Sequence, residues 1–196
     1  YPSYDVIKNL SNPTDLNGNF SIYSSGYLKN YNTNVYDRVI INDLIFNSDA
    51  LYTDEGFKNN YNILIKNINT DSDNSTKFKN SQDHKLASIF EYNSSYPLKK
   101  TSANFNDILK PKMSLKYSPN NTKDMRNEDR RIDKNNIFST NRLSAKDTVE
   151  GGTSLTYGVE FLKTDKTTEK DLFSANIANI FRLKEDKNLP RNSKLG

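Results

Sequence analysis

A chain of 196 residues with no cysteine can hold no disulfide, no thiolate metal site and no thiol nucleophile, and at this length it is one domain or a small pair. Lys and Arg outnumber Asp and Glu by 28 to 24 with the two signs interspersed, so no single basic face points to nucleic acid. The apolar fraction is 34% and the mean hydropathy −0.86, below the ~45–50% of an ordinary globular domain, yet 12 Tyr and 10 Phe are unlike the aromatic-poor signature of disorder.

Residues 1–17 read as a polar lead-in carrying Pro2 and Pro13. Gly18-Asn19 opens a first strand, GNFSIYSSGYLKN, with Phe20 and Ile22 on one face. Gly26 marks a bend or bulge there, because Tyr27 and Leu28 fall out of the two-residue period. After a short turn at Asn32-Thr33-Asn34, residues 35–48 form a second strand with charged side chains on both parities. A third strand over 57–69 places Phe57, Tyr61, Ile63 and Ile65 on one side and Asn62, Leu64, Lys66 and Ile68 on the other. Residues 70–83 read as loop, and a fourth strand runs over 84–95.

Lys99-Lys100 reads as a turn. A fifth strand over 105–117 contains Pro111, which cannot donate to a ladder and so belongs at an edge, a bulge or a strand start. Residues 119–150 are a polar excursion of about 30 residues, far beyond a hairpin turn and of the kind that is functional or disordered. Ile132, Ile137, Phe138 and Leu143 inside it predict a loop that folds back onto something. A sixth strand follows over 152–163, then a polar turn over 164–170 and a seventh strand over 172–183. No 3.6-residue period stands out, so the fold class is all-β, an antiparallel meander.

Several strands are about 12 residues long, against a mode of about 5–6 in soluble sheets, and strands that cross a membrane in a tilted barrel need about 9–11. Length, one apolar parity opposed by a polar one, short turns alternating with longer loops, and frequent rings point to an outer-membrane β-barrel. The alternative is a soluble or surface-exposed β-sandwich binding module without catalysis, which requires two sheets with apolar faces turned toward each other. No run of 18 apolar residues offers a transmembrane helix. A start at Tyr1 without Met or signal peptide reads as an excised or processed piece.

Chemistry finds little footing. Asp37 with Asp43, or Glu128 with Asp129, pair carboxylates in sequence only. His84 is the lone histidine, and no calcium-loop motif is present. No catalytic residue, metal ligand or cofactor is expected. Gly151-Gly152 precedes no helix and so is no phosphate cradle. Two residues without Cβ let the returning loop pass close to the sheet and feed the next strand. Gly158, in mid-strand, gives room for a close neighbour or permits curvature. Arg126, Arg130, Arg131 and Arg142 have two readings: ion pairs with Glu128, Asp129, Asp133 and Asp147 across the loop, or contact with anionic sugar-phosphate head groups.

The run LKPKMSLKYSPNN, the pair Ile132-Asp133, NNIF ending at Phe138, NRLSAKDTVEGG from Asn141 through Arg142, Ser144, Asp147 and Glu150 to Gly151-Gly152, and LTYGVEF with Tyr157-Gly158 resemble the C-terminal barrel of the LPS-assembly outer-membrane protein family, LptD (also OstA or Imp). The family block has Phe where Leu143 stands, Gly where Ala145 stands and Arg where Thr148 stands. The likeness is strong over the middle third and looser elsewhere, and FRLKEDKNLPRNSKLG resembles the family's next hairpin.

The resemblance implies a segment of a barrel of roughly two dozen strands in the bacterial outer membrane, inserting lipopolysaccharide into the outer leaflet. The implied partners are lipopolysaccharide, outer-membrane lipids, a plug lipoprotein of the LptE type and periplasmic LPS-bridge proteins. It further implies that 119–150 lies at the extracellular mouth, that Lys99-Lys100 and 164–170 are periplasmic turns, and that residues 1–196 are an internal fragment of the barrel domain.

Overall fold

The computed structural model describes residues 2–12, 14–30 and 34–191. Ten strands succeed one another: β1 (Ser3–Leu10), β2 (Gly18–Asn30), β3 (Tyr36–Ser48), β4 (Leu51–Tyr52), β5 (Lys58–Asp73), β6 (Gln82–Ser95), β7 (Leu98–Thr101), β8 (Phe105–Ser118), β9 (Gly152–Asp165) and β10 (Asp171–Arg182). All belong to one antiparallel sheet in the order β1-β2-β3-β5-β6-β8-β9-β10, with β4 on β5 and β7 on β8. Among the described residues β1 and β10 do not pair, so the sheet is an open meander. The predicted fold class holds.

Seven of these strands lie where the two-residue period predicts them, and the differences have local causes. β1 occupies the stretch read as a polar lead-in. Tyr4, Val6 and Leu10 share one parity, but Lys8 interrupts them and Ile7 stands on the other face, so the alternation is imperfect over only eight residues. Backbone pairing to residues 20–27 of β2 holds it instead. Residues 70–73 and 82–83, expected in loop, extend β5 and β6.

Lys99 and Lys100 are not a turn but lie in β7, opposite Ile108 and Asp107, and the chain reverses at 102–104. Register runs unbroken from Ser95 opposite Lys112 to Leu98 opposite Leu109. The ladder is interrupted between them, where Pro111 has no N–H to donate, although its carbonyl still accepts from Tyr96 at 3.0 Å. Pro111 is thus accommodated inside a long strand by one missing bond. Gly26 is no bulge either. It pairs regularly with Tyr4 and Ile40, and a Cβ there would stand 2.5 Å from the Tyr4 ring. Of the turn at Asn32-Thr33-Asn34, the first two residues lie outside the described ones. The expected further hairpin does not begin by Arg191, since residues 183–190 carry no strand.

The two faces of the sheet differ. One is bare. Leu44, Ile65, Phe90, Leu115, Ile177 and Phe181 stand there between 37% and 77% exposed, a continuous apolar surface far larger than single scattered residues would make. The other is covered by residues 119–151. No second sheet lies over it among the described residues, so the facing-sheets architecture of a sandwich is not the one adopted. The loop's own Met125, Ile132, Ile137, Leu143 and Ala145 cluster with Leu189, and Phe138, Ala178 and Ile180 pack against them. Val149 closes a second cluster over Leu64, Ala87 and Ile89. Val39, Ile41 and Ile68 form a third, beneath Tyr27 and Phe78.

Ile89 has no exposed surface and joins strand to loop. Ile89→Ala is expected to destabilise the fold by about 2–5 kcal/mol, measured by denaturant unfolding in detergent. A loss below about 1 kcal/mol would mean that the loop does not bear on the sheet there.

Candidate functional site

Between these apolar clusters the covered face is charged. Parity puts Asp43, Lys66, Glu91, Lys116, Ser154 and Thr156 on that side of the sheet, and the loop seals them from solvent. Lys66 Nζ donates to both Asp43 oxygens at 2.7 Å. Lys116 Nζ lies 3.6 Å from Glu91 and donates to the loop carbonyls of Ser139 and Thr140 at 2.6 and 2.7 Å. The Thr140 hydroxyl donates to Glu91 at 2.5 Å, and Glu91 also accepts from Asn62 and Ser114 at 2.9 and 3.0 Å. One loop dipeptide is therefore fastened to β5, β6 and β8 together.

The densest knot surrounds Arg142. Its guanidinium, 1% exposed, forks onto Glu150, Nε to one oxygen at 2.7 Å and Nη2 to the other at 2.9 Å. Two further N–H groups donate to the Ser154 and Thr156 hydroxyls of β9 at 2.6 and 2.9 Å. Arg182 of β10 closes on Glu150 from the other side at 3.0–3.1 Å. Burial first, and the Arg182 cation after it, pull the Arg142 pKa below its ordinary value against the opposing pull of Glu150. Bidentate geometry and hydrogen bonds from four of the five N–H groups are what make such burial tolerable.

The other residues of the sequence block have mostly turn-forming places. Asp133 accepts from the amides of Asn135, Asn136 and Ile137 through its side chain and carbonyl. Ser144 has φ +50° and donates its amide to the Asn141 carbonyl at 3.0 Å. Asn141 Nδ2 donates to the Ala145 carbonyl. Lys112 sits 4.0 Å above the Phe138 ring. Gly151 runs so close to the opposite arm of the loop that a Cβ would stand 2.0 Å from the Asn120 carbonyl oxygen, while Gly152 takes φ +81°. Gly158 lies against β10, where a Cβ would meet the Ile177 carbonyl at 2.7 Å. Ile132 is in the loop's apolar cluster. Tyr157 is not brought to this group, since it stands half-exposed on the bare face.

Internal pairing describes two of the four loop arginines, with other partners than the sequence offered. Arg142 takes Glu150, and Arg126 takes Asp124, whose carboxyl it holds down at about 2. Arg130 donates to the Leu143 and Ser144 carbonyls at 3.2 and 2.8 Å. Asp147 pairs with Lys123 at 2.8 Å and Lys77 at 3.4 Å. Lys116, Glu91, Thr140 and Arg182 were not singled out from the sequence. For Lys116, Glu91 and Arg182 the only signal is a charge on the polar parity of a strand, which many solvated faces share, and Thr140, an uncharged loop residue, carries none. No group of three or more His, Cys, Asp or Glu among the described residues is arranged to hold a metal ion.

Long antiparallel strands, a bare apolar face, and a polar face packed under the loop that joins two of its strands define an open segment of β-barrel wall. The chain belongs to the LPS transport system D family, LptD, whose family model matches residues 15–196. This is a transport family rather than an enzyme family. A comparison with curated proteins finds no match.

Glu150→Gln removes the carboxylate onto which the buried Arg142 forks. It is expected to cost about 3–5 kcal/mol and to raise proteolytic cleavage within 119–151 before the sheet melts. Undiminished protection of the loop would remove Glu150 from its fastening. Burial pushes the Asp147 carboxyl up, but the Lys123 and Lys77 ammonium groups outweigh it and hold the pKa below its ordinary value. The stabilisation from this group is therefore complete above the unfolded carboxylate pKa of about 3.9, and it is lost only as pH falls through the lower folded value. An NMR titration of Asp147 with a midpoint above the unfolded value would contradict this clamp.

Proposed function

We propose that this chain is part of the wall of the outer-membrane barrel through which lipopolysaccharide is inserted into the outer leaflet. The bare face meets outer-membrane lipids, and the covered face borders the hydrated interior through which the saccharide part passes. Residues 119–150, folded onto that interior face, stand at the extracellular mouth, and the turn at 164–170 is periplasmic. The sequence block from Ile132 to Gly158 serves to seat this loop. A plug lipoprotein of the LptE type and the periplasmic bridge proteins are the partners of the assembled protein.

The observation that carries the reading is the division of side chains between faces: exposed apolar residues on one, buried ion pairs on the other. A water-soluble sheet buries its greasy face, so this arrangement is reversed relative to one, and a bilayer restores it. The long strands have 12–16 residues, more than the about 9–11 that a tilted strand needs to cross. Rings collect toward the turn end of the bare face. Phe20, Phe46 and Tyr61 stack at 4.6 and 5.6 Å, and Phe161 and Phe173 at 5.9 Å, as at the aromatic girdle of a barrel.

On the same face a polar row lies beside exposed Ile40 and Leu86. Ser24, Asn42, Asn67, Asn69 and His84 form a row across β2, β3, β5 and β6, with contacts of 2.7, 3.5, 2.5 and 2.8 Å. In this reading the row stands at head-group level, because amide groups in hydrocarbon would be costly.

The chain has no Trp, so each one introduced is a unique reporter. In vesicles containing brominated lipid, Phe90→Trp and Ile177→Trp are expected to be quenched several-fold more than Asn176→Trp, which lies on the opposite face. Equal quenching at all three positions would defeat the membrane orientation.

A further inference from the structure

The bare face does not have one apolar height. In β9 it runs from Lys163 through Phe161, Val159, Tyr157 and Leu155 to Thr153, and the residues beside these four in β8 are Leu109, Pro111, Met113 and Leu115. Of their neighbours in β10 only Asn179, opposite Tyr157, is polar. In β3 the same face runs from Ser48 through Phe46 and Leu44 and then meets Asn42, with Ser24 beside it in β2 and Asn67 in β5. From polar residue to polar residue there are ten steps in β9 and six in β3. At about 3.3 Å per step and a tilt of about 40°, these are heights of about 25 Å and about 15 Å. Only the first matches the apolar band of about 25 Å that a barrel wall presents to lipid.

The short height does not come from a short strand. Asn42 is the seventh of 13 residues in β3 and Ser24 the seventh of 13 in β2, so the row crosses the middle of both. Beyond it, toward the end of the sheet where 74–81 and 119–151 lie, Ile40 stands beside Gly26 and Arg38 beside Leu28. A band of ordinary height would have to extend from Ser48 to Arg38, which puts Ser24, Asn42 and Asn67 near the bilayer centre. Their hydrogen bonds do not offset such burial. The Ser24 hydroxyl donates to Asn42 at 2.7 Å, but the two N–H groups of Asn42 Nδ2 have only a contact of 3.5 Å with Asn67. An amide N–H left over in hydrocarbon is costly, and Lys8 of β1, opposite Ile22 on the same face, would add a charge one row away. Head groups and water at the level of the row remove both costs, because the long Lys8 stem then needs to reach only to that row.

We propose that β1–β3 form a thin sector of the wall. Beside them the hydrocarbon is pinched to about 15 Å, and polar lipid head groups with their water descend to Ser24 and Asn42. Beside β8 and β9 the bilayer keeps its full thickness. The inference rests on the membrane reading above and adds to it a place where the wall deforms the lipid. Ile40, beyond the row, then stands outside the hydrocarbon, whereas Tyr157, at a similar position in its own strand, stands within it.

The test places single tryptophans at these two positions in the protein reconstituted into vesicles. Tyr157→Trp is expected to be quenched by lipid brominated on its acyl chains and spared by acrylamide in the water. Ile40→Trp is expected to show the reverse, with several-fold less quenching by brominated lipid. Adding Ser24→Leu and Asn42→Leu to Ile40→Trp removes the row, and lipid quenching is expected to rise to that of Tyr157→Trp. Ile40→Trp quenched by brominated lipid as strongly as Tyr157→Trp in the presence of the row would overturn the thin sector and leave the membrane reading standing. Protection of Ile40→Trp from both quenchers would also overturn it, since a second copy of the chain and not lipid would then cover β1–β3. An Ile40→Trp signal unmoved by the two leucines would show that the row does not set the lipid level. Tyr157→Trp left unquenched by lipid would defeat the membrane reading itself, and the thin sector with it.

Discussion

A single carboxylate, Glu150, faces two arginines in a place that water does not reach. Arg142 and Arg182 come from opposite sides of the loop base, and the Ser154 and Thr156 hydroxyls take up the donors that Glu150 leaves over. Isolated, any of these charges would cost several kcal/mol to bury. Together they are nearly fully satisfied, and only one loop position satisfies them. This is how a polar excursion without internal secondary structure comes to rest in one place: the knot ties its end to β9 and β10, and Thr140 with Lys116 and Glu91 ties its middle to β5, β6 and β8.

The same economy explains why charged residues sit inside strands. A lysine on the covered parity of β5 or β8 would ordinarily weaken a sheet with a buried face. Here Lys66 finds Asp43 across the ladder, and Lys116 finds Glu91 together with two loop carbonyls. Cross-strand register supplies the first partner of each, and the loop supplies the rest. Apolar clusters under Val149 and around Ile132 fill the space between the ionic contacts, so the covered face alternates between greasy and charged patches rather than forming a uniform core.

In the reading proposed above, transport needs no bond-making chemistry: one side of the wall meets lipid, the other saccharide, and whatever crosses meets a defined boundary. The loop makes that boundary by occupying the covered face near its loop end, where it also roofs a cationic cavity over β1 to β3. Glycines serve this arrangement where the backbone runs too close for a side chain, as at Gly151 against Asn120 and at Gly158 against β10.

How much of this was legible in the residues depends on the distance over which each feature is encoded. The two-residue alternation is local, and it located seven strands and their faces. Ile132, Ile137, Phe138 and Leu143 likewise announced a loop that returns to the sheet, and the block from Asn141 to Gly152 carried the family. β1 was hidden because its alternation of Tyr4, Val6 and Leu10 is short and broken by Lys8, and pairing with β2 holds it. The path of β7 was masked by two adjacent lysines that read as a turn. The partners of the arginines stayed open because Arg142, Glu150 and Arg182 are brought together only by the fold of an aperiodic loop and the register of β9 with β10. Sequence alone thus determined the seven long strands whose side chains alternate, since neighbouring residues suffice for that. Only the tertiary structure decided which charges meet, because an ion pair is set by positions in space that no local spacing records.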